Sequence, residues 1–474
     1  MMDTAESRTK GLPTHDDSDY SVIQKAGMEL GHASSGMLLP GIDGKTRKEA
    51  VRLCARDYLE HHVFFNHMHF HNHLNHHLLA VFSMGGSSKR LQEIFDGNRQ
   101  MQRPAMPKHQ TEISASNFVD YLSKEENYPD YVAFFRKEVE AAGDKWHEVV
   151  PKYIFNRHVF PCFMNGIFHP LIQMGYGLEF DSKAITATAL AQACVHGPYA
   201  DETYFSDAFE EMGASMASGT AKDLSLMQIL DMLRDERTAA GIKYEDAVSG
   251  SENVALGRKL ASKYGGLWTV DADDAAINAK YEELLSTVVL LYVSTTRPGY
   301  KQVLDFSTMH CLTSLYFMPI YFEVLSTEQK ARLLHAHCMA VLNIYSAGGA
   351  PQLFVTPEHT AEDARKVVNG PHGEPSNPWL EIFNDAINHD DIHAPKVVRT
   401  LWRGDILSAL QKQDKNSTRQ KTPPVNWLYI ARTTLDTITM SSFYERSDER
   451  NKGTRFWDRG MLGYDQFWED REKS

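Results

Sequence analysis

An all-α fold is predicted for this chain of 474 residues by three observations. Long apolar residues recur at helical spacing through most of its length, alternating strand patterns bounded by hairpin turns are absent, and no period of about 20 to 50 residues repeats. Residues 1 to about 45 are rich in Ser, Thr, Asp and Gly and read as a flexible N-terminal arm. A helical domain follows over 46–445, and 446–474 form a C-terminal tail. The stretch from Arg47 to Ser83 contains no proline, so it predicts one long helix or two with a break near Asn66. Residues 117–143 read as two short amphipathic helices split at Pro129, and 145–180 continue in the same manner. SKAITATALAQACVHG (182–197) is a small-residue helix ended by Gly197 and Pro198. Three or four helices fill 221–300, including AAINAKYEELLSTVVLLYV. After a turn at Pro298 and Gly299 come two apolar helices, the second with Thr327 as its N-cap and Gly348 and Gly349 at its end. PWLEIFNDAINHDDIHAPKVVRTLWRGDIL (378–407) and VNWLYIARTTLDTITM (425–440) complete the set.

Composition bounds the function. Hydrophobic residues at 42% and aromatic residues at 11% suffice for a core together with an apolar cavity able to take a flat aromatic ligand. No linker divides the chain, so one large domain or two fused helical layers are expected. The formal charge of −13, without clustered Lys and Arg, argues against a nucleic-acid partner. There is no run of about 18 apolar residues, and the polar, acidic N-terminus is unlike a signal peptide, so no membrane association and a cytoplasmic location are expected. The five cysteines are scattered without a CxxC pair, which points to core residues rather than disulfides or a thiolate metal site. Assembly is left open, a homodimer included.

Histidine is the unusual count. There are 22, and eight of them fall between His61 and His77. Within this run the helical period sets His73 beside His76 and His77, and neutral imidazoles three or four residues apart are how one helix offers two metal ligands. The competing reading is a set of solvated or hydrogen-bonded helix residues. The segment His389-Asp390-Asp391-Ile392-His393-Ala394-Pro395-Lys396 would place His389, His393 and Lys396 on one helical face. An ammonium there would repel a metal cation. Either Lys396 points elsewhere, with Pro395 redirecting it, or burial lowers its pKa until the free amine can take up carbon dioxide as a carbamate. One of Asp390 and Asp391 is expected to orient a ligating histidine, the alternative being a solvated acidic face. His310 stands alone in the apolar run DFSTMHCLTS, where a hydrogen-bonded core histidine is the competing reading. His169 opens FHPLIQMGYGLEF, whose two glycines suggest close backbone approach rather than a phosphate loop, since no strand precedes them. Rossmann, P-loop and GxSxG fingerprints are absent, so NADPH or flavin binding in the usual manner is unsupported.

HHVFFN and FHNHLNHHLLAVFSMGGS, then FHPLIQMGYGLEF, then DFSTMHCLTS, then HDDIHAPKVVRTLW, in this order over about residues 45 to 440, resemble the questin oxidase-like family of fungal secondary-metabolite enzymes. The resemblance implies an oxygenase that cleaves a ring of a polycyclic aromatic polyketide such as an anthraquinone, with dioxygen as co-substrate. One branch of that family looks like a non-haem iron dioxygenase whose Fe(II) is held by four histidines and a carboxylated lysine. Carried over, this implies His73, His310, His389, His393 and Lys396 as ligands, with His77 and His169 the alternatives to either single ligand. His169, His77 and Tyr176 would then serve catalysis around the metal. Phe168, Tyr176, Phe306 and Tyr316 are candidates to stack a planar substrate. Gln173 departs from the pattern, where another histidine is expected in many relatives, and this could alter substrate orientation. The rivals are a dinuclear metal-dependent hydrolase, an NADPH-dependent Baeyer–Villiger-type monooxygenase, and a helical scaffold without catalysis.

Overall fold

The structure is a computed structural model that describes residues 17–361, 377–411, 423–439, 457–458, 460–469 and 471–474. Among these residues it is all-α: extended pairing is limited to isolated bridges such as His61 to Pro104 and Phe64 to His71. The helices used below are α1 (Asp17–Ala26), α2 (Gly44–Glu60), α3 (Leu74–Ser83), α4 (His169–Glu179), α5 (Lys183–Val195), α6 (Asp274–Val293), α7 (Phe306–Leu315), α8 (Thr327–Ala347), α9 (Pro378–Asn388), α10 (Ala394–Gln411) and α11 (Trp427–Thr437). No helix among the described residues is long and apolar enough to cross a membrane.

Local chemistry explains where these helices begin. Asp43 accepts the Thr46 amide at 2.7 Å ahead of α2, Asp305 accepts the Thr308 amide at 2.7 Å ahead of α7, and Ser326 with Gln329 forms a capping box ahead of α8. Ser326 therefore takes the capping position predicted for Thr327, which is the first helical residue. Pro129 lies in the first turn of the helix Tyr128–Ala141 instead of between two helices, where its missing N–H costs no helical bond.

The small residues of α5 let helices approach closely. A Cβ on Gly177 would lie 2.5 Å from Thr186 Oγ1, and one on Gly175 would lie 2.3 Å from the Phe317 ring. The GYG sequence is thus a packing device, as the lack of a preceding strand suggested. Helices α3, α4, α7 and α10 meet around one buried volume, with α8 packed behind α7.

Two expectations are corrected, and one alternative is decided. The predicted arm is structured from Asp17 onward: α1 packs on α2, Met28 and Met37 are buried, and the Gly31 and Ala33 amides donate to the carbonyls of Phe180 and Glu179. Residues 1–16 of that arm and 446–456 of the tail lie outside the described residues. For the histidine-rich stretch, the alternative of two helices with a break near Asn66 holds: α2 ends at Glu60 and α3 starts only at Leu74. Between them Asn66 folds the chain back by accepting the amides of Met68 and Phe70. Residues 378–407 form two helices with a break at 389–393.

At the far end of α4, Arg399 donates to Glu179 and, at 2.8 Å, to Tyr316, with both ionic side chains fully buried. Glu179 also accepts Tyr316 Oη at 2.6 Å and the Met37 amide at 3.2 Å, which ties the N-terminal segment to the core. Removing one member of such a pair strands the other charge away from water. Arg399→Met is therefore expected to lower the urea unfolding free energy by about 3–5 kcal/mol. The double variant Arg399→Met with Glu179→Gln should recover part of that loss; a double variant as unstable as the sum of its singles would contradict the coupling.

Candidate metal centre

Four histidines from four segments converge in the buried volume. His73 is the residue preceding α3, His169 the first residue of α4, His310 lies mid-way along α7, and His393 immediately precedes α10. All are buried, His310 and His393 completely. One ring nitrogen each of His73, His310 and His393 lies within 4.8 Å of the others. His169 joins them, its ring centroid 4.7 Å from those of both His73 and His310.

Hydrogen bonding assigns the tautomers. His73 Nδ1 lies 2.6 Å from His71 O, His169 Nδ1 lies 2.6 Å from Gly166 O, and His310 Nδ1 lies 2.8 Å from Phe306 O. A carbonyl only accepts, so each Nδ1 carries a hydrogen and each neutral ring presents a bare Nε2. The Nε2 atoms of His73 and His169 then face each other at 2.9 Å. Two lone pairs at that distance repel unless a proton or a cation lies between them.

Protonation is disfavoured. Burial, followed by the charges of Lys396 and neighbouring imidazoles, holds His73 and His169 well below the usual histidine range, and burial followed by His169 and His393 does the same for His310. A metal cation fits instead. Two nitrogens bound at right angles to one ion at about 2.1 Å would lie about 3 Å apart. His310 Nε2, with no hydrogen-bond partner among the described residues, offers a further lone pair.

Asp391 supports the fourth histidine. Its Oδ1 lies 3.4 Å from His393 Nδ1 and accepts the His393 amide at 2.8 Å, the Ala394 amide at 3.1 Å and Trp457 Nε1 at 2.9 Å. Burial pushes the Asp391 carboxyl up, but His393 and these hydrogen bonds outweigh it and hold the group below the usual carboxylate range. The carboxylate therefore turns the ring of His393 and caps α10 at once. Asp390 is exposed. Of the two acids weighed in the sequence, Asp391 is the one that orients a histidine.

Lys396, in the first turn of α10, is buried beside this cluster, and its Nζ has no hydrogen-bond partner among the described residues. Burial brings its pKa down to about 7, with Asp391 partly opposing the shift.

His389 does not join the cluster. It ends α9 in an extended conformation, with Nε2 2.6 Å from Ile438 O and Nδ1 accepting the Asp391 amide at 2.9 Å. Both ring nitrogens are committed. The shared helical face of His389, His393 and Lys396 fails because the second helix starts only at Ala394, which leaves Pro395 in a first turn that tolerates it. The geometry puts His169 in the position that the sequence reading gave to His389.

His77 and Tyr176, the other residues expected to serve catalysis, lie beside the cluster. His77 is buried, neither ring nitrogen has a hydrogen-bond partner among the described residues, and burial, then Arg90, lowers its pKa to about 3. Tyr176 accepts from Arg399 Nη1 at 3.3 Å and stacks on His76 with centroids 5.0 Å apart. Phe168, Tyr176 and Tyr316 are packed inside the core, whereas Phe306 is half-buried and contacts both His310 and His393, with centroids 4.4 and 5.2 Å away. Gln173, the departure from the expected pattern, accepts His76 Nε2–H at 2.7 Å and donates to Thr188 at 3.0 Å, so it fixes a neighbouring imidazole. A polar chamber of about 30 Å³ reaches Gln173 from the side of Asp57, His61 and Asn75. A wider cleft of about 430 Å³, lined by Arg136, Trp146, His147 and Lys183, includes none of these residues.

Sequence reasoning gives no role to His71 and none to Trp457, whereas it sets His76 beside His73. His71 stacks on His169 with centroids 4.0 Å apart and planes 6° from parallel, and its Nε2 lies 3.0 Å from His196 Nε2. The spacing that sets His76 beside His73 holds, with ring centroids 5.7 Å apart. Trp457 could not have been found, because nothing local marks a tryptophan that acts 66 residues upstream.

The fold and site define an all-α protein with a buried, histidine-lined centre. The sequence model of the questin oxidase-like family matches residues 70–401, a span that contains all five of His73, His169, His310, His393 and Lys396. A Baeyer–Villiger oxidase of Pestalotiopsis fici is 29% identical over 409 residues, 82% of this chain and 87% of its own. A questin oxidase of Aspergillus fumigatus is 27% identical over 404 residues, covering 82% and 87%. An oxidoreductase of Aspergillus parasiticus is 27% identical over 418 residues, covering 85% and 81%. The chain belongs to the questin oxidase-like family.

The two assignments of the fourth histidine differ in outcome. His169→Ala is expected to weaken metal binding at least about tenfold, whereas His389→Ala should leave it within about twofold of the parent. Metal analysis after equilibrium dialysis measures both, with circular dichroism as the control for folding. Metal loss in the His389 variant with retention in the His169 variant would reverse the assignment.

Proposed function

We propose that this chain is an oxidoreductase of fungal secondary metabolism that uses one non-haem iron ion and dioxygen to open a ring of a polycyclic aromatic polyketide. The observation that carries this reading is the facing pair of bare nitrogens on His73 and His169, with His310, His393 and a buried lysine amine beside them. Nitrogen and oxygen donors of this kind suit iron, and bound ferrous iron would let dioxygen react with the substrate, whose ring carbons supply the electrons as they are oxidised. The relatives' names, questin oxidase and Baeyer–Villiger oxidase, support oxygen chemistry on related compounds.

The protein's own groups have definable tasks. His71, Gly166 and Phe306 hold three imidazoles through their carbonyls, and Asp391 orients the fourth, so the donor set is organised before an ion arrives. Lys396 is assigned as the fifth donor after reaction of its neutral amine with carbon dioxide: the nitrogen lone pair forms the bond to carbon, one proton leaves, and an anionic carbamate results. A buried carbamate would lower the positive charge of the filled centre and provide the oxygen donor that the imidazoles lack. The surrounding apolar packing excludes water, which favours attack on substrate over loss of activated oxygen. Phe306, half-buried against His310 and His393, is assigned to stack against a planar substrate. His77, neutral and with uncommitted ring nitrogens, is assigned to hydrogen-bond a substrate oxygen, since burial makes it too weak a base to take a phenol proton.

Protein prepared anaerobically with ferrous iron should bind close to one equivalent and consume dioxygen in proportion to polyketide product, with the yield independent of NADPH. Two zinc or manganese ions with hydrolytic turnover would contradict this in favour of a dinuclear hydrolase. Stoichiometric NADPH oxidation would favour the Baeyer–Villiger-type monooxygenase. Lys396→Met is expected to lower iron affinity, and restored binding in Lys396→Glu would support an anionic donor at that position.

A further inference from the structure

His169 follows three consecutive residues in left-handed backbone: Gly166 at φ +59°, Ile167 at φ +52° and Phe168 at φ +64°. Glycine adopts this conformation freely, but for a β-branched isoleucine and a phenylalanine it is disfavoured. Such a turn persists only where its surroundings over-determine it, and an observed outlier of this kind is a reason to look for what it holds.

One flank of the turn is closed by His71 and His196. A Cβ on Gly166 would lie 2.3 Å from His196 Nε2 and 2.9 Å from His71 Cε1, so glycine is required by space as well as by φ. Its carbonyl is thereby fixed as the acceptor for His169 Nδ1.

The other flank is closed by Phe168, whose ring stacks on His337 of α8 with centroids 4.3 Å apart and planes 14° from parallel. His337 Nε2 lies 2.8 Å from Ser314 Oγ, which itself lies 2.8 Å from His310 O and 3.0 Å from Cys311 O. The single hydroxyl proton must go to a carbonyl, since carbonyls cannot donate. His337 therefore donates Nε2–H to Ser314, and Ser314 donates to the backbone of α7. Phe168, Ser314 and His337 are all buried.

We propose that Phe168, His337 and Ser314 form a brace that positions His169 against His310. These residues touch no reacting group; they act through the backbone of the two histidine-bearing segments. A histidine suits position 337 because its ring both stacks flat on Phe168 and donates sideways to Ser314, whereas phenylalanine supplies only the first contact. The metal-binding consequence rests on the reading of His169 and His310 as ligands, while the geometric consequence does not.

The test uses the full chain with His337→Leu, which loses both contacts, and His337→Phe, which keeps the stack. Crystal structures of the metal-free variants read the separation of His73 Nε2 and His169 Nε2, now 2.9 Å. It should exceed about 3.5 Å in His337→Leu and return toward the parent value in His337→Phe, a distance at which a hydrogen-bond contact is lost. Cobalt(II) titration, followed by its visible absorption, should show about 10–100-fold weaker binding and an altered spectrum in His337→Leu. Partial recovery is expected in His337→Phe. A folded His337→Leu protein with unchanged separation and cobalt affinity within about twofold of the parent would overturn the brace. Should that variant fail to fold, Ser314→Ala, which removes both the acceptor for His337 and the hydroxyl's bond to the α7 backbone while keeping the Phe168 stack, is judged on the same two readings. If the parent itself takes up no cobalt, the metal reading fails, and the crystallographic separation alone decides the brace.

Discussion

Two imidazole nitrogens that cannot donate to one another face each other in a dry interior, and the rest of the centre follows from that constraint. Backbone carbonyls fix the hydrogens of His73 and His169 on Nδ1, which leaves both Nε2 atoms bare at 2.9 Å. In water such a contact would be relieved by protonation or rotation. Here burial opposes the first and packing the second: His169 is stacked on His71 and led by a left-handed turn, and His73 is the residue that enters α3. An arrangement that disfavours itself without a cation, yet is held from several sides, is what a preorganised metal site requires.

A buried polar cluster of this size is costly in an all-α core unless each group is given a partner. The structure meets that demand locally. Asp391 serves the His393 ring, the start of α10 and the indole of Trp457 with one oxygen. Gln173 turns His76, and Ser314 links His337 to the α7 backbone. The Arg399–Glu179 pair and Tyr316 carry a polar network as far as Met37, which ties the N-terminal segment to the core. Other groups are left over: Lys396 Nζ, both ring nitrogens of His77 and Nε2 of His310 are buried with no hydrogen-bond partner among the described residues.

Much of this was legible in the sequence, for identifiable reasons. Helical periodicity and capping residues reveal α5, α6 and α8, because their signals are local. His73, His310 and His393 stand out because a histidine in an apolar run needs a partner. His389 misled because the spacing of His389, His393 and Lys396 describes a helical face only if the helix is continuous, and a break at 389–393 removes that condition. The run from His61 to His77 was better read: the break expected near Asn66 is present, and His76 stays beside His73. His169 was visible but ranked below His389, since its selection depends on Gly166 and His71, which sequence cannot place beside it. Ser314 and His337 sit 23 residues apart on different helices and left no local sign.

The most direct measurement is anomalous scattering at the iron edge from a crystal of the iron-loaded protein. A single peak about 2.0–2.3 Å from the Nε2 atoms of His73, His169, His310 and His393, with added density continuous with Lys396 Nζ, is the expected result. Two peaks, or a peak coordinated by His389 in place of His169, would contradict the account.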